Sequence, residues 1–110
     1  MELEVNGVSI ATTDQGFLLD RNLWNEQVAV QIADFEGIEL TDAHWEILHF
    51  IRQFYQNYKY LPNARVFSKA IKNELGVEKA NSRYLLKLFP QGPLKYSCKI
   101  AGLPKPPSCL

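Results

Sequence analysis

Cys98 and Cys109 are the two thiols of the sequence, and Cys109 is second from its C-terminal end. A thiol on a terminal arm can enter another protein's active site, which a thiol in a packed core cannot, so reach favours Cys109 as the reacting group. An unperturbed cysteine titrates near about 8.5 and is only a few per cent thiolate at neutral pH; neighbouring cations raise that fraction. Lys105 lies in the same tail and Lys95 and Lys99 flank Cys98. These lysines suit docking to an acidic surface as well as thiol activation. Cys98 precedes Cys109 by eleven positions, about 35 Å when fully extended, so the two meet only if the arm folds back. Gly102 offers the bend, and Pro104, Pro106 and Pro107 stiffen the returning limb. Closing such a loop costs roughly 3 kcal/mol. That is small enough for a reversible disulfide in which Cys98 resolves sulfur carried on Cys109. The plainer alternative makes Cys98 a small apolar filler where the arm leaves the body.

Other chemistries find little support. The cysteine spacing matches neither a CxxC redox motif nor a zinc site, and His44 and His49, five apart on a predicted helix, fall on different faces. There is no glycine-rich phosphate loop and no Gly-x-Ser-x-Gly. Neither a metal nor another cofactor is expected. The chain reads as a carrier acting with partner enzymes, and not as a self-contained catalyst. Its N-terminus, MELEVNGVSI, is acidic and lacks the basic start and apolar run of a signal peptide. No stretch is long enough for a membrane span, so the expected setting is the cytoplasm, where a cysteine pair is more often redox-active than a structural staple.

The formal net charge of zero hides a segregation. Residues 1–51 hold ten acids against Arg21 alone, and residues 52–110 hold eleven bases against Glu74 and Glu78. Internal pairing between the halves is one explanation. A basic face for an acidic partner or nucleic acid is the other, with Arg65, Lys69, Lys72, Arg83, Lys95 and Lys99 as its candidate residues.

These residues must be positioned by one small domain, since 110 residues supply material for a single core. Asn6-Gly7 predicts a two-residue hairpin turn pairing Val5 with Val8 and Leu3 with Ile10, within residues 1–12. A helix is predicted from near Asn22 through Trp24, Val28, Ile32 and Phe35, capped by Gly37. The longest helix starts after Thr41 and carries Trp45, Leu48, Ile51 or Arg52, Tyr55 and Tyr58, with Pro62 marking its end. Further helices are expected over 64–75, stopped by Gly76, and over 79–88, stopped by Phe89-Pro90. That pair resembles helix-turn-helix, a pattern also common in ordinary packing. The aromatic residues at helical spacing are assigned to the core. After Pro90, four prolines and two glycines in twenty residues predict an extended, flexible arm over 91–110 beside a domain of 1–90.

Taken together, EGIELTDAHWEILHFIRQFY (36–55), NSRYLLKLFPQGP (81–93), KIAGLPKP (99–106) and the penultimate Cys109 resemble the DsrC/TusE family. This family comprises the gamma-subunit-like proteins of dissimilatory sulfite reductase and their relatives in tRNA thiolation. The resemblance implies a mainly α, α+β fold: a helical bundle, a small N-terminal β-hairpin and a mobile C-terminal arm. It implies persulfides or mixed sulfur bridges on Cys109, formed on a partner. Sulfite reductase subunits, sulfurtransferases of the DsrEFH or TusBCD type and a membrane-complex disulfide reductase are the partners it suggests, with the free protein monomeric. In the family, the branch linked to sulfite reductase and sulfur oxidation also has the second arm cysteine, matched here by Cys98, whereas the branch that thiolates tRNA typically lacks it. Two departures are Leu94-Lys95-Tyr96-Ser97, where the family commonly reads Ala-Lys-Gln-Ala, and Pro107-Ser108, where a glycine often precedes the last cysteine. Both are expected to affect how readily the arm folds back.

Two readings of other classes compete with a sulfur carrier. A nucleic-acid-binding regulator would use the Ala64–Leu88 helix pair, yet it has no need of a penultimate thiol. A purely structural reductase subunit explains a docking surface but leaves the two cysteines without a role.

Overall fold

The computed structural model describes residues 2–106; Cys109, Pro107 and Ser108 therefore lie outside the described residues. The chain begins with the antiparallel strands β1 (Glu2–Val5) and β2 (Val8–Ala11), in the register Leu3 to Ile10 and Val5 to Val8. Asn6 and Gly7 both take positive φ, 52° and 79°, which the type I′ turn demands. Leu3 and Ile10 are buried, while Val5 is partly buried and Val8 exposed, so the covered face of the hairpin ends short of its turn. The cover is α1 (Glu26–Phe35), which packs on β1.

The first helix starts four residues later than its apolar spacing predicts. Asp20 caps a short 3-10 turn, Arg21–Leu23, Trp24 is extended, and the Asn25 side chain accepts from the Val28 N–H at 2.9 Å to open α1. Gly37, at φ 72°, closes it, with the Ile38 N–H reaching Ala33 O.

Helix α2 (Asp42–Tyr58) starts after Thr41 as predicted, and α3 (Ala64–Leu75) follows its predicted bounds, with Thr41 and Asn63 as N-caps and Gly76 after α3. α2 ends at Tyr58, before Pro62, because Lys59 turns left-handed. The helix expected over 79–88 is two pieces, α4 (Val77–Ala80) and α5 (Ser82–Leu88). Asn81 divides them by capping α5 through Arg83 N.

His44 is buried. Its Nδ1 accepts from the Thr41 backbone N–H at 3.0 Å, which assigns the proton to Nε2, and Nε2 donates to Leu88 O at 2.8 Å. One ring thus caps α2 and anchors the end of α5. His44→Ala should lower stability by about 2 kcal/mol through an unpaired, part-buried Leu88 carbonyl and a lost cap, measured by urea unfolding.

The principal departure from expectation is α6 (Pro93–Ile100), which occupies the first half of the predicted flexible arm. It packs against α1, α2 and α5 and buries Leu94, Ser97, Cys98, Lys99 and Ile100. Its prolines and glycines punctuate the helix and do not interrupt it: Pro93 sits in the first turn, where its missing N–H costs nothing, and Gly102 follows the end. At that end Gly102 N–H reaches Lys99 O and Leu103 N–H reaches Cys98 O, a Schellman closure. Beyond it, Leu103 and Pro106 are still buried, while Pro104 and Lys105 are exposed.

Candidate functional site

The candidate site is the end of α6 and the described residues that follow it, 101–106, which precede Cys109 in the sequence. Three long-range ties hold it. Trp24 Nε1 donates to Ile100 O at 2.8 Å, and Arg52 Nη1 donates to Ala101 O at 2.7 Å. The Arg52 guanidinium lies 3.9 Å from the Trp24 ring centre, so the two side chains brace each other. The third tie is Lys99, whose Nζ meets Glu36 Oε1 at 2.6 Å with both side chains largely buried. Its ammonium also lies 5.2 Å from the Tyr96 ring centre.

Gly102 belongs to this clamp and is not an unhindered bend. At φ 74°, a Cβ added there would stand 2.4 Å from Trp24 Cδ1. Only glycine lets the backbone pass this close to the indole.

Cys98 is 0% exposed and lies on the core side of α6, within the main apolar cluster. The structure therefore does not place it on an extended arm. The same is true of the Leu94–Ser97 departure: Leu94 is buried in the core, Ser97 Oγ donates to Leu94 O within the helix, and the Tyr96 hydroxyl donates to Gln91. These residues serve the packing of α6.

The basic candidates are not brought to one place. Arg65, Lys69 and Lys72 are exposed at positions i, i+4 and i+7 of α3, sharing a face by helical spacing; Arg83 is exposed on α5. Lys95, half-buried at the start of α6, lines a groove shared with α3 and α5. Lys105 is exposed after α6, and Lys99 is buried against Glu36. Lys79–Glu46 and Lys99–Glu36 each join the basic half to the acidic half, so part of the charge segregation is internal pairing.

Sequence reasoning assigned Trp24 to general packing and did not single out Arg21, Glu36 or Arg52. For Arg52 a signal existed: it is a cation at a predicted core-spacing position of α2.

Residues 4–110 match the family described as DsrC like protein. The chain belongs to the DsrC-like family. The Haemophilus influenzae protein named sulfurtransferase TusE homolog is 52% identical over 108 residues, covering 98% of this chain and 99% of that one. Among solved structures, Allochromatium vinosum DsrC superposes with a TM-score of 0.90 at 44% identity. The oxidized gamma-subunit of dissimilatory sulfite reductase (DsrC) from Archaeoglobus fulgidus gives 0.84 at 41% identity, and both matches cover 100% of each chain. Among the described residues of this DsrC-like chain, no His, Cys, Asp and Glu cluster suited to a metal ion occurs. No described helix is long and apolar enough to cross a membrane.

Proposed function

We propose that this chain is a cytoplasmic sulfur carrier that accepts sulfur on Cys109 and hands it on while docked on larger partner proteins. One observation carries the reading. Over essentially its whole length the chain matches proteins named for sulfur transfer and for the sulfite reductase gamma-subunit, and it ends in a penultimate thiol. In the loading step the Cys109 thiolate attacks the outer sulfur of a donor persulfide. The donor's S–S bond breaks, its own sulfur leaves as a thiolate, and Cys109 becomes the persulfide. Unloading repeats the exchange with an acceptor thiolate. Incubation with a persulfide donor should add mass in steps of about 32 daltons, and an acceptor thiol should remove it. A chain that gains no mass contradicts the reading.

Cys98 is the proposed resolving thiol. Its thiolate would attack the inner sulfur on Cys109 and expel the outer one as hydrosulfide. The resulting Cys98–Cys109 disulfide is then reduced by a dithiol or disulfide reductase of the partner system. This two-cysteine chemistry favours sulfite reductase or sulfur-oxidation partners. The relay toward tRNA thiolation is the second reading, favoured by the 52% identity to a TusE-named protein and by the burial of Cys98. Mild oxidation at low protein concentration separates them. A disulfide-closed monomer, lost in Cys98→Ser, supports resolution; intermolecular dimers alone, even when dilute, support the relay.

For docking, the proposed face is Arg65, Lys69 and Lys72 on α3, with Arg83, Lys95 and Lys105 as separate candidate contacts outside α3. Lys99 is withdrawn from it by its buried pairing with Glu36.

A further inference from the structure

A cavity of about 350 Å³ opens beside Leu103, between the 3-10 turn and the C-terminal half of α2. Three cations line it, Arg21, Arg52 and Lys59, and among its described lining residues there is no Asp or Glu. Asn22 and Gln56 add amide groups, and Tyr55 supplies an aromatic wall. We propose that this cavity binds a small divalent oxyanion of the thiosulfate or phosphate kind.

The positive charge here is concentrated and uncompensated. Among the described residues, Arg21, Arg52 and Lys59 form no ion pair. Asp20, the acid next to Arg21, accepts from the Asn22 N–H at 3.0 Å and does not line the cavity. Burial first, and then the nearby Arg21 charge, lower the pKa of Arg52 below its ordinary value. A bound dianion would relieve that second effect.

The geometry is also set in advance. Arg52 is fixed by Ala101 O on one side and the Trp24 ring on the other, and Arg21 lies over the Tyr55 ring at 5.2 Å. Only one of the five N–H donors of Arg52 has a protein acceptor among the described residues. Fixed guanidinium groups suit an oxyanion because little side-chain freedom is lost when it binds. Cys109 follows Leu103 by six positions in the sequence, and the inference does not rest on sulfur uptake there.

The test uses the full-length Cys109→Ser chain, which removes sulfur exchange as a cause of any change. Trp24 and Trp45 are the two tryptophans, so their indole N–H resonances give a probe and an internal control. Thiosulfate or phosphate, added at constant ionic strength, should shift the Trp24 signal saturably and leave Trp45 in place. The tighter of the two anions names the source. Arg21→Gln combined with Lys59→Gln, both exposed side chains, should weaken that binding about tenfold or more. The proposal is overturned if chloride at equal ionic strength produces the same shift in the chain with Arg21 and Lys59 intact. It is also overturned if neither anion saturates, if Trp45 moves in parallel, or if the folded double variant binds as tightly.

Discussion

Gly102→Ala should destabilise the fold by about 3 kcal/mol. Two costs add. A left-handed φ of 74° costs an L-residue roughly 1 kcal/mol or more. The new methyl would also stand 2.4 Å from Trp24 Cδ1, and overpacking of this kind costs about 1–3 kcal/mol. Trp24 cannot yield freely, because moving it breaks its bond to Ile100 O and its stacking under Arg52. The clash therefore has a signature that a general loss of stability lacks. A Trp24→Gly background removes the indole and also Trp24 Cβ, which would stand 2.8 Å from the new methyl, and there Gly102→Ala should cost at least about 1 kcal/mol less than in the unmodified chain. Urea unfolding of the four proteins measures this coupling. Equal costs in both backgrounds would show that the close approach is not what requires glycine.

The sequence is most legible where start and stop signals lie beside the element they bound. Asn6-Gly7 specifies its hairpin, Thr41 opens α2, and Gly76 closes α3, because turn and cap chemistry acts over three or four residues. α6 is harder to read because the residues that bound it also dominate the composition of the tail. Pro93 in the first turn and Gly102 after the last bracket eight helical residues, whereas a count of prolines and glycines over the tail predicts an unstructured arm. Position decides their meaning: proline excludes a helix interior, and among the described residues of the tail none occupies one. Asn81 shows the same effect in reverse, since an N-cap inside an apolar pattern divides α4 from α5.

The candidate site was legible only in its covalent part. The penultimate position of Cys109 is a property of the sequence. The burial of Cys98 and the clamp around Gly102 depend on partners remote in the chain. Lys99 pairs with Glu36 across 63 positions, and Trp24 reaches Ile100 across 76. No local spacing encodes such contacts. A lysine beside a cysteine therefore looks like an activating or docking cation until the fold shows it turned inward.

The second large effect is on sulfur uptake itself. Cys109→Ser should abolish persulfide loading, a loss on the order of a hundredfold or more, since a serine hydroxyl stays protonated at neutral pH and forms no persulfide. Cys98→Ser should leave loading intact, because Cys98 is buried on the core side of α6. The most direct measurement treats the unmodified chain and the two single-serine variants with one persulfide donor, then assigns the added sulfur by intact and peptide mass. The carrier account predicts sulfur on the C-terminal peptide containing Cys109 in the unmodified chain and in Cys98→Ser, and none in Cys109→Ser. Normal uptake by Cys109→Ser together with its loss in Cys98→Ser would contradict the account.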